Sequence, residues 1–389
     1  MGLLITLFIT LMLVFYPLGE ITRIPIGEAA ISFIDIGVFL LVSVWIFRKI
    51  AHKAKIKGEL LKPISIFICA LLISLFFNFR NLTINEFFIS FLYLVRWIFY
   101  SLIYFVVKDF SKSFKNYLPY FLKISGLLVI VIGFIFYLFY PDLRNLRYLG
   151  WDEHLYRNFS SFLDPNFAGV FFVLFFVLVS SSLNMNKLKS KFWWFDIILS
   201  FLSVISILIT FSRSAYITFV VAVLSLAILK KQLKFILLII LFMFVLILLP
   251  NFTLKSEGTN LLREASGKAR IDSIRNALTI FKDNPILGVG FDSYRYAQRR
   301  YGFVKEDKML VHSAAGTDNS YLFIMATTGA IGFLFFTYFL FNLFKFSVGS
   351  NILLVSLIAV CVDSFFINSL FYSPIMLWVW ILAGLRENT

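Results

Sequence analysis

Arginine dominates the residues of this chain whose types and spacing suit chemistry. One polar stretch, residues 251–318, holds eleven Lys or Arg residues, among them Arg263, Arg270, Arg275, Arg295, Arg299 and Arg300. It also contains Asn284-Pro285-Ile286-Leu287-Gly288-Val289-Gly290 and His312, and it closes on Asp318-Asn319-Ser320-Tyr321. Earlier stand Arg144, Arg147 and Arg157, then Asp164-Pro165-Asn166, then Arg213 within Thr210-Phe211-Ser212-Arg213-Ser214. The guanidinium is a planar, permanently charged fork that matches phosphate through paired hydrogen bonds. Fixed cations of this kind stabilise a departing phosphate more in the transition state than in the ground state. Asp318 and His312 are candidate proton acceptors. Asp164 and Asn166 straddle a proline ahead of an apolar run. That pattern caps a helix and also leaves its N-terminus open to an anion.

The elements that must position these groups are hydrocarbon-soluble. The chain has 389 residues, 60% hydrophobic and 15% charged, with 50 Phe. A soluble protein carries about 25% charged residues. Continuous apolar runs long enough to cross a bilayer recur along the whole length, without the alternation of a β-barrel. The fold class expected is therefore all-α: one polytopic transmembrane domain over 1–389, with 251–318 as a large extracytoplasmic loop containing short helices. Twelve spans are expected, at 2–17, 29–47, 63–79, 87–107, 118–140, 167–183, 192–211, 214–229, 235–250, 319–341, 350–367 and 371–385. The first lacks a basic leader and a small-residue cleavage site, which points to a retained helix. Cys69 and Cys361 lie in apolar runs and suggest neither disulfide nor metal.

Lysine and arginine in short loops set orientation. Arg48, Lys49, Lys53, Lys55, Lys57 and Lys62 follow the second span, and Lys108, Lys112 and Lys115 the fourth. Lys187, Lys189 and Lys191 follow the sixth, and Lys230, Lys231 and Lys234 the eighth. These loops, and both termini, are expected in the cytoplasm. The net charge of +15 is then partly topological and is no nucleic-acid signature. The basic residues left on the outer side call for an anionic ligand. A solvated loop near anionic head groups would account for its lysines, but less well for Arg213 in a tight hairpin. Arg213 is expected to line an outward-facing cavity. Arg96, near the middle of the fourth span, should face the bundle interior, with Asp363 as a candidate partner. Asp35 is less informative, and Lys123 should snorkel to a cytoplasmic surface.

Within the long loop, 269–282 reads as a helix with an apolar stripe of Ile271, Ile274, Leu278 and Phe281 laid on the membrane. Arg270 and Arg275 fall off that stripe. The helix should stop at Asn284-Pro285, and Gly288-Val289-Gly290 should form a tight turn. No strand precedes those glycines, so they make no dinucleotide fingerprint. His52, His154 and His312 make no metal set, and no metal or cofactor is expected.

Taken in order, Arg157, Asp164-Pro165-Asn166, Ser212-Arg213-Ser214, Gly267 with Arg270, the Asn284–Gly290 motif, Asp318-Asn319-Ser320-Tyr321 and Gly329-Ala330-Ile331-Gly332 resemble the bacterial O-antigen ligases and Wzy-type polysaccharide polymerases. The resemblance covers about residues 155–340. It implies a membrane glycosyltransferase of the C type, inverting and metal-independent. Its donor and acceptor would be glycans on undecaprenyl pyrophosphate at the outer leaflet of the bacterial plasma membrane, with a chain-length regulator as a candidate partner protein. It implies Arg213, Arg270 and Asp318 as catalytic residues. Arg157, Asn166, Arg263, His312, Asn319, Tyr321 and Arg96 are the expected substrate-binding residues. Ligases carry a histidine where this chain has Asp318, which favours repeat-unit polymerisation over ligation. A ligase acting on a lipid or protein acceptor, and a polysaccharide or lipid transporter, are the competing readings.

The charge asymmetry predicts that the 48–62 loop is inside and 251–318 outside. In intact cells a Lys55→Cys variant should resist an impermeant thiol reagent while Lys268→Cys reacts. Labelling of position 55 would overturn the topology.

Overall fold

Apolar runs become helices here, and polar caps decide where several of them begin. The computed structural model describes residues 2–182, 193–248, 256, 258–261, 263–304 and 315–386. Its helices are α1 (Gly2–Phe15), α2 (Phe33–Ala51), α3 (Leu61–Phe77), α4 (Ile84–Lys108), α5 (Lys112–Phe139), α6 (Pro165–Ser182) and α7 (Trp193–Leu208). They continue with α8 (Arg213–Lys230), α9 (Lys234–Leu248), α10 (Ala265–Asp283), α11 (Tyr294–Arg300), α12 (Ser320–Ser347), α13 (Asn351–Asp363) and α14 (Ser373–Arg386). Reciprocal capping boxes start α2 (Ser32 with Asp35) and α4 (Thr83 with Glu86). The side chains of Ser111, Ser212 and Asn319 cap α5, α8 and α12.

The chain is an all-α membrane protein. Each expected span overlaps one apolar helix. Among the described residues, five stretches are long and apolar enough to cross a bilayer: Leu4–Thr22, Ile84–Lys108, Lys112–Phe139, Arg213–Lys230 and Ser320–Ser347. Several other apolar helices, such as α3, α9 and α14, are shorter, at 14–17 residues. The second expected span begins too early. Residues 24–31 instead form a hairpin of β1 (Ile24–Ile26) and β2 (Ala29–Ile31), antiparallel with Ile26 opposite Ala29. Gly27, at φ 61°, supplies the turn. The helix at the eleventh expected span, α13, also stops early, at Asp363.

At the centre stands α6, packed against α5, α7, α8 and α13. Every residue from Val170 to Val179 is buried. A helix that is apolar all round belongs inside a bundle. Beside it Lys123 of α5 pairs with Asp196 of α7 at 2.6 Å, both nearly buried. The expected snorkelling of Lys123 is thus replaced by an ion pair, because a carboxylate lies one helix away.

The long polar stretch does not simply lie on a surface. α10 packs on α12 through buried Ala277 and Ile280, while Ile271 and Ile274 are 58% and 39% exposed. The docking face is therefore rotated from the anticipated stripe, because small side chains on that face allow close approach. Beyond the Asn284 C-cap, the turn through Gly290 is spliced into α12 itself. α12 breaks at Gly329 (φ 67°, ψ −168°), about 14 Å along its axis at 1.5 Å per residue. The turn takes over the backbone groups released there. Val289 and Gly290 donate to the carbonyls of Ala326 (3.1 Å) and Thr327 (2.9 Å), and Ala330 and Ile331 donate to Pro285 (2.8 Å) and Ile286 (3.3 Å). From α3, Ser74 Oγ donates to the carbonyls of Leu287 (2.8 Å) and Thr327 (2.9 Å), and Asn78 Nδ2 to that of Gly288 (3.1 Å).

This backbone-on-backbone contact requires glycine. A Cβ on Gly288 would stand 2.3 Å from the Thr327 carbonyl carbon, at a φ of 65°. Left-handed strain and overpacking together predict a loss of about 2–5 kcal/mol for Gly288→Ala. Thermal unfolding in detergent should show a clear drop for it and almost none for Gly267→Ala, where an added Cβ meets nothing within 4 Å. Equal midpoints for the two variants would refute the splice as a stability element.

Candidate functional site

The connections between α1 and α2, α5 and α6, α9 and α12, and α13 and α14 converge on one cavity of about 530 Å³. That is ample for a ligand of several rings. Its wall includes Arg157, Asn166, Arg263, Arg270 and Asp318, so five of the ten anticipated site residues meet there, Arg96 is a sixth, and Asp164 joins them.

The cationic end is built on the hairpin between α7 and α8. Arg157, 4% exposed, donates from Nε to the Thr210 carbonyl at 2.9 Å and from Nη2 toward the Phe211 carbonyl and Asn166 Oδ1, both at 3.4 Å. Arg263 reaches the same Phe211 carbonyl at 3.2 Å. Phe211 has a φ of 50°, a left-handed kink that turns its carbonyl toward both arginines. Asn166 Oδ1 also accepts from Ser212 Oγ at 2.8 Å. The N-termini of α6 and α8 are thereby tied together at the cavity edge. Burial first, and Arg263 second, push the Arg157 pKa down to about 9, which still leaves it protonated at neutral pH. His154 lies 3.4 Å from Arg157 through Nδ1. Burial, then Arg157 and Arg263, lower its pKa well below the usual imidazole value, so it stays neutral.

Arg213 is placed differently from expectation. It is not among the residues that line the cavity. Its Nη2 donates to Ser266 Oγ at 2.6 Å and its Nη1 to the Leu261 carbonyl at 3.5 Å. Ser266 does line the cavity, one turn before Arg270 on α10. Arg213 thus fastens the helix that presents Arg270. Arg270 itself makes no hydrogen bond or ion pair among the described residues; its guanidinium lies 5.9 Å from the Phe366 ring.

Asp318 faces the same space. Its backbone N–H donates to Ser273 Oγ at 3.1 Å, and its carboxylate has no hydrogen-bond or ion-pair partner among the described residues. Burial raises its pKa against the opposing pull of Arg270, with Asp164 adding to the rise. Burial raises that of Asp164 as well, although its Oδ1 caps α6 through the N–H groups of Asn166 (2.6 Å) and Phe167 (3.4 Å). Asn319 and Tyr321 turn out to hold the helix. Asn319 Oδ1 caps α12 and its Nδ2 donates to the Phe365 carbonyl at 3.2 Å, while the Tyr321 hydroxyl donates to the Cys361 carbonyl at 2.8 Å. His312 lies outside the described residues.

The opposite end mixes acids, arginines and aromatic rings: Glu20, Glu28, Asp292, Arg23, Arg295, Tyr93, Tyr296 and Trp151. Arg96 joins them, but its partner is Asp35 (3.2 Å), not Asp363; it also donates to the Ala30 carbonyl and lies over the Tyr93 ring. The α2 capping box holds Asp35 where α4 passes, which sequence separation concealed. Asp363 instead accepts from Thr218 (3.5 Å) and Ser369, tying α13 to α8. Asp292 escaped the sequence reading; its one local signal is an acid directly behind the Gly288–Gly290 turn.

Residues 198–337 match the O-antigen ligase family, Wzy_C. The match spans the hairpin, the loop arginines, the spliced turn and the break in α12, so this part of the chain is similar to that family. Arg157, Asp164 and Arg96 lie outside it. No curated protein matches the chain.

If Arg213 fastens α10, Arg213→Ala should raise hydrogen–deuterium exchange across 263–270 while the middle of α8 stays protected. Unchanged exchange in that segment would show that the contact carries no positional role.

Proposed function

We propose that this O-antigen ligase family protein transfers glycan between undecaprenyl-pyrophosphate carriers, polymerising repeat units of a surface polysaccharide at the outer leaflet of the bacterial plasma membrane. The observation that carries the reading is Arg270. It is a cation on the cavity wall, without hydrogen bond or ion pair among the described residues, beside buried Arg157. Arg270 is half-buried, and a cation only partly solvated favours an anionic partner. A pyrophosphate is such a partner, and it gains charge as it leaves the anomeric carbon, so the arginines hold it more tightly in the transition state. Asp318 is a hydrogen-bond acceptor for a sugar hydroxyl next to that leaving group.

Orientation supports the same reading. Of the connections that meet at the cavity, α1–α2, α5–α6 and α13–α14 hold no lysine, and the basic α9–α12 connection is long enough to translocate regardless of charge, while the lysine clusters after α2, α4 and α8 lie at the other helix ends. By the positive-inside rule the cavity faces outward and both termini are cytoplasmic. Arginine clamps in place of a divalent cation, so transfer should proceed in EDTA. The family's description favours a second reading, transfer of finished glycan to a different acceptor. Asp318, standing where ligases carry histidine, favours polymerisation.

Purified protein given only the lipid-linked repeat unit, in EDTA, should yield a ladder of longer lipid-linked glycans. Arg270→Ala should lower that rate by about 10²–10³-fold, the scale set by removing one charge-stabilising donor. Arg213→Ala should likewise abolish most of it by displacing α10, and lysine at 213 should restore little. A product that appears only when a second lipid or protein acceptor is added would establish ligation instead.

A further inference from the structure

Two carboxylates in the cavity, Asp318 and Asp292, have no hydrogen-bond or ion-pair partner among the described residues. Their charged neighbours differ. Asp318 lies near Arg270 and Asp164. The groups that act on Asp292 are Arg96 from α4 and Arg295 from α11, with the Tyr296 hydroxyl also close. The first belongs to the cationic end, the second to the end lined by aromatic rings and acids.

The backbone at Asp292 carries a further clue. Its φ is 58°, a left-handed conformation that costs most side chains about 1–2 kcal/mol, and that glycine, and to a lesser degree asparagine and aspartate, tolerate. Glycine or asparagine would satisfy the turn without an acid. The acid here instead faces a cavity, at the position where the spliced turn hands over to α11, so its place is fixed by the backbone bonds to α12.

Resting on the glycosyl-transfer reading above, we infer that Asp292 is the general base that takes the proton from the attacking sugar hydroxyl. In a displacement with inversion the nucleophile enters opposite the leaving group. With pyrophosphate held by Arg157 and Arg270, the acceptor belongs at the other end of the cavity, where Asp292 stands. The hydroxyl oxygen bonds to the anomeric carbon as that carbon's bond to the pyrophosphate oxygen breaks. The electron pair leaves with pyrophosphate, and the proton passes to the Asp292 carboxylate and then to water. Tyr93 and Trp151, which carry Arg96 and Arg23 over one ring face, line the cavity. Burial raises the Asp292 pKa to about 7, against the pull of Arg96 and then Arg295. A carboxylate so raised is a far better base than an exposed one. Only its ionised form accepts the proton, so transfer should rise with pH up to neutrality and level off above it.

The test uses full-length wild-type protein, Asp292→Asn and Asp292→Gly in nanodiscs; both substitutions tolerate the left-handed backbone. Binding of undecaprenyl pyrophosphate and single-turnover transfer from extracted lipid-linked glycan are measured between about pH 5.5 and about pH 8.5, a range that brackets a base near neutrality. Both variants should bind the carrier within about twofold of wild type yet transfer at least about 100-fold more slowly, the lower end of what a general base contributes. The residual rate should lack the rising limb. Near-wild-type transfer with that limb intact would overturn the assignment, as would a loss of carrier binding in proportion to the loss of transfer. Wild-type protein that neither binds the carrier nor moves glycan would remove the functional reading itself, and this role with it.

Discussion

The interaction on which the site depends is the exchange of backbone hydrogen bonds between the 285–290 turn and the break in α12. A helix interrupted at this depth exposes carbonyl and amide groups that water does not reach, at several kcal/mol each in hydrocarbon. The turn supplies donors to Ala326 and Thr327 and acceptors to Ala330 and Ile331. Ser74 of α3 adds a second donor to the Thr327 carbonyl and also serves Leu287, and Asn78, the α3 C-cap, serves Gly288. The consequence is positional. α10, with Arg270 and Ser273, ends where the turn begins; α11, with Arg295, starts just beyond it; Asp318 sits at the head of α12. Three pieces of the cavity wall share one backbone anchor. Neither Gly288 nor Gly329 admits a side chain there, since each would drive a Cβ into the other's backbone.

Much of this was legible in the chain itself. Run length and charge sufficed for a helical membrane protein, and Asp164-Pro165-Asn166 and Asn284-Pro285 marked helix ends correctly, because capping and proline act locally. The arginines that converge were identifiable as a class, since no other need for them was evident. What could not be read depended on pairing across the bundle. Arg96 takes Asp35 rather than Asp363 because α2 runs beside α4, and Lys123 finds Asp196 for the same kind of reason. The two glycines of the turn read as a simple bend, since nothing local says that a helix 40 residues later is broken to receive them. Asn319 and Tyr321 carry polar groups suited to sugars but spend them on capping α12 and bracing α13.

Partnering separates structural from functional charge in this molecule better than depth does. Arg96 has a carboxylate, a carbonyl and an aromatic face. Lys123 has Asp196, and Lys230 donates to the carbonyls of Ser180 and Ser181. Each is expensive where it stands and each is compensated in place. Arg157 and Arg263 are intermediate: they satisfy carbonyls of the hairpin, yet carbonyl dipoles do not cancel a full charge. Arg270, Asp318 and Asp292 lack hydrogen-bond and ion-pair partners among the described residues, and all three border the same space. A ligand that brings both an anion and hydroxyl groups to that space completes them together.

Asp318 illustrates how environment changes what a residue type implies. An aspartate near its ordinary pKa of about 4 is a poor substitute for histidine as a base. Burial raises the Asp318 carboxyl, so the difference in basicity between the two residues narrows. The difference in charge does not. A neutral imidazole beside Arg270 leaves the guanidinium's field intact, whereas an ionised Asp318 cancels part of it and weakens the hold on a departing pyrophosphate. Arg157 and Arg263 at the hairpin restore positive potential, at the cost of lowering the proton affinity of Arg157. The acid at 318 and the arginine pair on the hairpin are therefore coupled features. A chain with histidine at 318 needs fewer cations at the hairpin to reach the same transition-state stabilisation, whereas one with aspartate needs both.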